Sequence, residues 1–343
     1  MKENTIRIGF GEVKGTLEEI LLRQGFSDAR AEMCARLFSE TSLDGIYSHG
    51  LNRFPLFIDY IRKGFVVPGN EPYLVRADHN FEQWDGNRGP GNLNAWFSME
   101  RAIGLARKSG TGFVALRNTN HWMRGGTYGL QAARQDCIGI CMTNTTPNMP
   151  PWGGREARAG NNPFIIAVPH EPYPVLLDMA MSQYSYGKLE ILAQQGEMLS
   201  HEGGLDTHFR PTREPGRILE SMLALPMGYW KGSGLAVMLD LLVALLSGGL
   251  STAEIGKLEV ETLLSQLFIA FDLDRLPEPG ERERTVRTVL DSVTGCPPAE
   301  PGKEVSYPGL QTWKRRQENE KKGIPVNPGT WQKILNLKGP EGT

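Results

Sequence analysis

The sequence predicts an α/β protein with a smaller helical part made from its two ends, and three observations carry this. Between Leu74 and about Pro308, strand-like apolar runs alternate with helical stretches. The first seventy residues show only helical periodicity, and the chain after Leu310 returns to it.

Taken in order, Gly9-Phe10-Gly11-Glu12-Val13-Lys14-Gly15 reads as a turn. Its last glycine falls one place late for G-x-G-x-x-G, and no second strand with an acidic end follows. Thr16-Leu17-Glu18-Glu19 is a capping box opening a helix that stops at Gly25; Ser27 caps a second helix running to about Ser42, and a third spans Phe54 to Lys63. Val66-Val67-Pro68-Gly69-Asn70 makes a linker. Strands are expected at Gly112 to Leu116, Ile138 to Thr143, Phe164 to Val168, Val175 to Leu177 and Leu267 to Leu273. Helices are expected at Leu93 to Lys108, Gly234 to Leu246, Gln311 to Lys322 and Pro328 to Leu335, the last two packing on the N-terminal helices. The stretch from Gln194 to Pro215 reads as a surface loop. The working division is residues 1–70 with 312–343 as a helical domain and 71–311 as an α/β domain.

Composition narrows the function. With 37 Lys plus Arg against 39 Asp plus Glu, the net charge is −2 and no basic block offers itself to nucleic acid. The longest apolar run, Leu235 to Leu246, contains Asp240 and is shorter than the ~20 residues that span a bilayer, so a buried helix is expected and no membrane. The N-terminus lacks an export signal, and Cys34, Cys137, Cys141 and Cys296 read as reduced packing residues in a cytoplasmic protein. His201, Glu202, Asp206 and His208 lie on a glycine-rich loop, and no metal is expected; His79, His170, His201 and His208 read as solvated.

Two segments carry the chemistry. Tyr47-Ser48-His49-Gly50-Leu51-Asn52-Arg53 and Asn120-His121-Trp122-Met123-Arg124 each set a histidine a few residues before an arginine. Imidazole moves a proton near neutrality and guanidinium grips a planar oxyanion, a pairing that suits reduction of a keto acid. His49 and Arg53 share a helix face if a helix starts near Ser48, or lie in the preceding loop if Pro55 opens the helix; a helix-capping histidine beside a surface ion pair is the plain alternative. His121 follows a strand on a hydrogen-bonding loop, where either a ligand or a network through Asn118 and Asn120 would occupy it. Gly228-Tyr229-Trp230-Lys231-Gly232-Ser233-Gly234 reads as an anion seat or as a glycine turn with Trp230 packed on the core.

These segments, with Met149-Pro150-Pro151-Trp152-Gly153, Gly160-Asn161-Asn162-Pro163, Leu177-Asp178-Met179-Ala180-Met181-Ser182 and Lys231-Gly232-Ser233-Gly234, resemble the malate/L-lactate dehydrogenase type 2 family of NAD(P)-dependent oxidoreductases. The resemblance implies a non-Rossmann cofactor domain with a mixed sheet, a homodimer, and hydride transfer between a nicotinamide cofactor and a keto acid. It implies His49 as proton donor with His121 lining the pocket; Arg53 and Arg124 are the expected holders of the carboxylate and keto oxygens, Arg124 from the segment particular to this sequence rather than from the resemblance, with Ser48 also at the substrate. Cofactor contacts are implied at Pro174, Val175, Leu176, Leu177, Asp178, Met179 and Ala180, at Trp230 and Lys231, and at Gly309, Leu310 and Gln311. The resemblance implies NADH as the cofactor; where relatives carry an acidic residue after Pro-Gly, this chain has Leu310 and Gln311, and without a carboxylate to reject a 2′-phosphate NADPH is an open alternative. His121-Trp122-Met123-Arg124-Gly125-Gly126, with Leu225-Pro226-Met227-Gly228-Tyr229-Trp230-Lys231, resembles the branch of the family that acts on a diketo sugar acid; sister activities on malate, lactate, ureidoglycolate or a cyclic imino acid, and a silent nucleotide or sugar-acid sensor, are the alternatives.

Overall fold

A computed structural model describes residues 5–275 and 281–339. The chain opens with β1 (Ile6–Ile8), α1 (Phe10–Arg23), α2 (Asp28–Leu43), a tight 3-10 turn at Tyr47–His49 and α3 (Phe54–Arg62). The edge hairpin β2 (Tyr73–Asp78) and β3 (Phe81–Asp85) follows, then α4 (Gly91–Ser109), β4 (Thr111–Thr119), α5 (Gly126–Ala133), β5 (Cys137–Thr143), β6 (Phe164–Val168) and β7 (Val175–Met179). Next come α6 (Tyr186–Gln195), the short hairpin β8 (Gly204–Leu205) and β9 (Pro211–Thr212), α7 (Pro215–Ser221), α8 (Trp230–Ser247) and α9 (Thr252–Ile255). The described chain ends with β10 (Leu264–Asp272), α10 (Arg282–Thr294), α11 (Leu310–Lys322), β11 (Ile324–Val326) and α12 (Pro328–Asn336).

Seven strands form one mixed sheet in the order β2-β3-β4-β10-β5-β6-β7. Only the β3–β4 pair is parallel among them, and β10 runs down the middle, with Ala270 opposite Gly112 on one side and Gly139 on the other. Helices α4 and α5 cover one face through Ala95, Met99, Ile103 and Tyr128 against Phe268 and Ile165. Helix α8 covers the other through Ala236, Leu239 and Val243 against Met142 and Leu267. The two chain ends meet: β1 pairs with β11, and Ile324, Trp331 and Ile334 join Leu17, Ile20, Leu21, Phe38 and Phe54 in one core. Each such buried apolar side chain contributes about 1.5–3 kcal/mol.

The expected strands and long helices are present, with differences that have physical causes. The turn expected at Gly9 to Gly15 and the capping box at Thr16 both lie inside α1, whose N-cap is Gly9. Val13, Leu17, Ile20 and Leu21 are all fully buried, so the apolar stripe begins a turn before Thr16 and the helix begins with it. Edge strand β2 is exposed along its whole length and shows no alternation that would reveal it. The stretch 194–215 is not a plain loop: it holds β8 and β9, packed with α6 and α7 around Leu189, Leu199 and Ile218. Val66, expected in a linker, is buried in the helical core. Helix α8 is not buried all round, because Leu235, Val237, Met238, Leu241, Leu242, Leu245 and Leu246 are exposed. Length and composition alone would let this helix cross a membrane; inside the fold its Asp240 accepts bonds from Asn144 and the Thr252 backbone. Cys296 is exposed rather than packed. His170 is not solvated; its side chain is 11% exposed, with Nδ1 3.6 Å from Glu283.

Candidate active site

The segment carrying His49 is built by close approach. Gly50 packs so tightly on α2 that a Cβ there would lie 2.1 Å from Ser42 Oγ, and that hydroxyl accepts a bond from the Leu51 backbone N–H at 2.9 Å. The 3-10 turn lies just before α3, with Pro55 in its first turn, so the loop alternative for His49 and Arg53 is the one adopted. The far side of the turn is held by Asn319 of α11, which donates to the Tyr47 hydroxyl and to the Leu43 carbonyl.

His121 is positioned from β4 and the start of α4. Asn120 donates to the carbonyls of Arg88 and Gly89 and accepts from Thr262, while Asn118 donates to Asp85, so neither asparagine is spent on His121 itself. A Cβ on Gly91 would stand 2.2 Å from the Asn120 carbonyl and 2.3 Å from that of His121, which makes this glycine the seat of the loop. The result is a stacked imidazole pair, His49 over His121, with centroids 5.9 Å apart.

The two rings differ in their partners. His49 Nδ1 lies 2.9 Å from Ser48 Oγ. His121 Nδ1 accepts the Met123 backbone N–H at 3.0 Å, so it carries no proton and Nε2 does. Burial lowers the pKa of His49; Asp178 opposes this, and Arg53 and Arg124 add to it. His121 is driven well below the ordinary histidine range, first by burial and then by Arg53 and His49.

His49 opens into a cavity of about 880 Å³ whose lining includes Ser48, Trp122, Asn161, Leu176, Leu177, Asp178, Ala180, Ser185, Lys188, Gly309, Thr312 and Arg315. His121 and Arg53 line a smaller recess behind it with Tyr60 and Asn120. Arg53 is half-buried, its Nη2 4.0 Å from Glu261. Arg124 lines the cavity while paired: its Nη1 bonds the buried Asp44, and its Nε stands 3.9 Å from Asp178. Burial works against its charge, yet Asp44, Tyr173 and Asp178 raise its pKa further. Arg124 is therefore a buried ion-pair residue in the cavity wall, with an Nε that has no hydrogen-bond partner among the described residues.

Of the expected cofactor contacts, Leu176, Leu177, Asp178, Ala180 and Gly309 line the cavity. Pro174 faces a separate recess with His170 and Trp313, and Met179 packs on the sheet face under α8. Val175 lines neither. Leu310 and Gln311 turn off the cavity, since α11 shows it Gly309, Thr312 and Arg315 at a spacing of one turn. Trp230 is 65% exposed rather than packed on the core, and neither it nor Lys231 lines this cavity. Ser185, Lys188, Thr312 and Arg315 were not singled out from the sequence, and Asn161 only as part of a motif; helix phase relative to a known pocket is the signal that would have found the first four. Among the described residues, no group of three or more His, Cys, Asp and Glu side chains could hold a metal.

The family model described as malate/L-lactate dehydrogenase matches residues 8–335. The chain is 42% identical over 333 residues, 97% of its own length and 100% of the relative's, to a 2,3-diketo-L-gulonate reductase of Citrobacter koseri, and equally to one of Salmonella paratyphi C. The crystal structure of malate dehydrogenase from Entamoeba histolytica superposes with a TM-score of 0.93 at 25% identity, covering 97% of each chain. The chain belongs to the malate/L-lactate dehydrogenase family of oxidoreductases.

Proposed function

We propose that the protein reduces 2,3-diketo-L-gulonate to 3-keto-L-gulonate, as a cytoplasmic homodimer using NADH and tolerating NADPH. The observation that carries this reading is the His49–His121 stack at the wall of a cavity that runs to Lys188 and Arg315. The cavity fits an anionic dinucleotide: it has apolar walls at Leu176, Leu177 and Ile191, and Asp178 is the only carboxylate side chain in its lining. The sheet beneath carries no glycine-rich βαβ fingerprint, so the binding mode is non-Rossmann. The working units are residues 1–70 with 312–343, which bring His49, and 71–311, which bring most of the cofactor wall.

The nicotinamide cofactor, when bound, supplies the hydride to the C2 carbonyl carbon. His49 delivers the proton to the C2 oxygen as negative charge develops there, Ser48 at Nδ1 orients the ring, and the neutral imidazole takes a proton back from solvent in the open cavity before the next turnover. His121 acts as a fixed Nε2–H donor to the same oxygen or its neighbour, because its Nδ1 is occupied by the Met123 amide. Arg53 holds the carboxylate from the recess behind His121. Arg124 serves by fixing Asp44 and Asp178 rather than by touching substrate. Trp230 and Lys231 act on the cofactor of a second copy, brought near by pairing of α8 faces.

A panel of keto acids assayed by loss of NADH absorbance tests the reading. Turnover of 2,3-diketo-L-gulonate above pyruvate and oxaloacetate is expected; a chain that reduces those two and ignores the diketo acid sinks the assignment.

A further inference from the structure

We propose that Lys188 and Arg315 form a phosphate seat for the cofactor, an inference that rests on the dinucleotide reading above. Two helices aim one face each into the cavity: α6 presents Ser185, Lys188 and Ile191, and α11 presents Gly309, Thr312 and Arg315. Lys188 and Arg315 are the cations these faces bring to it. Among the described residues neither makes an ion pair, whereas the chain neighbours of Arg315 are both engaged, Lys314 with Glu304 at 3.0 Å and Arg316 with Asp44 at 2.8 Å. Arg124, the other cation in the lining, is offset by Asp44, so Lys188 and Arg315 face a wall that holds only Asp178 against them.

Each side chain, although exposed, meets one neighbour. Lys188 Nζ lies 5.2 Å from the centre of the Tyr184 ring. The Arg315 stem lies across the backbone of Gly45: a Cβ there would be 2.8 Å from Arg315 Cδ and 3.3 Å from its Cβ, and Gly45 has φ +80°. Two cations with no carboxylate partner among the described residues, together in one cavity lining, suit the doubly charged oxygens of a phosphorylated ligand. They also replace residues 310 and 311 as the positions that meet the cofactor's charge. The phosphate is either the pyrophosphate common to NADH and NADPH or the ribose 2′-phosphate found only in NADPH.

Binding of NADH, NADPH and phosphate-free dihydronicotinamide riboside, followed by fluorescence, distinguishes these. In Arg315→Gln and Lys188→Gln we expect affinity to fall about tenfold, the loss of one charge-assisted bond, with riboside binding unchanged. Arg315→Lys should restore part of the loss. Equal loss for both dinucleotides assigns the seat to the pyrophosphate, and loss for NADPH alone assigns it to the 2′-phosphate. If both glutamine variants keep their melting temperature and bind both dinucleotides as the parent does, the seat is refuted while the cofactor reading stands. If the parent binds neither dinucleotide, both fall.

Discussion

At the level of single residues, the pocket separates two histidines of the same type into two roles. His49 keeps a pKa below its ordinary value in the free protein, chiefly through burial. Reduction needs it protonated, so kcat/KM for reduction falls as pH rises through that lowered value, and kcat/KM for oxidation rises through it. A bound carboxylate beside the ring favours its charged form, so the limb in kcat lies at higher pH than the limb in kcat/KM. Rates measured from about pH 5 to 8 check this, with His49→Gln expected to lose ~100-fold or more and the limb with it. His121→Gln keeps an N–H donor and should retain the limb; a limb that vanishes with His121 instead would reverse the two roles. The buried carboxylate of Asp44 supports the same wall. Burial alone would raise its pKa, but Arg124 and Arg316 outweigh burial and lower it. Its stabilisation is thus present above the unfolded carboxylate value and lost as pH falls through the depressed one. Asp44→Asn leaves Arg124 buried without its counter-charge, and we expect about 3–5 kcal/mol of destabilisation in a denaturant titration at neutral pH. A loss under about 1 kcal/mol would show that water reaches the pair.

At the scale of elements, the active site depends on where helices touch loops. The first turn of α4 lies under the carbonyls of Asn120 and His121, so Gly91→Ala must push the His121 loop away. We expect a cost of about 1–3 kcal/mol and a drop in kcat approaching ~100-fold, since a displacement near 1 Å is that expensive. Gly104→Ala on the same helix meets nothing within 4 Å and should leave kcat unchanged, with a small gain in melting temperature. Equal activity in the two variants would detach α4 from the site. This dependence also explains what could be read from sequence. Strands β4, β5, β6 and β10 are apolar runs bounded by turn residues and are legible because each is buried on at least one face, while β7 is legible from the apolar run Val175-Leu176-Leu177 although neither of its faces is fully buried. His49 and His121 were legible because their neighbours form compact motifs. Helix α5 was missed because Gly125-Gly126 and Gly129 look like loop, although α5 packs on β5 and β6. Arg315 is not legible from the motif at Gly309-Leu310-Gln311, because a motif records which residues are adjacent in the chain, not which side of a helix faces the cavity.

For the whole molecule, the outer face of α8 sets the remaining constraint. Met238, Leu241, Leu242 and Leu245 follow one another at helical spacing, and Leu245 is 77% exposed. Trp152, Tyr229 and Trp230 extend the apolar surface at the start of the helix, with Trp152 and Tyr229 ring centres 5.1 Å apart. Isolated exposed apolar side chains need no explanation, but a contiguous patch of this kind marks an interaction surface. A second copy packed across α8 would cover it, and a stable dimer needs about 800 Å² from each partner. Because α8 backs the sheet through Ala236, Leu239 and Val243, charges placed on its outer face should break association without disturbing the core. The double variant Met238→Asp, Leu245→Asp is therefore expected to run as a monomer in light scattering where the parent runs as a dimer, with secondary structure retained. If Trp230 and Lys231 serve the neighbouring copy's cofactor, that monomer also loses NADH affinity by about tenfold or more, the scale of one lost charge-assisted contact. A monomer that binds NADH like the parent would confine the cofactor site to one chain, and a variant still dimeric would move the interface off α8.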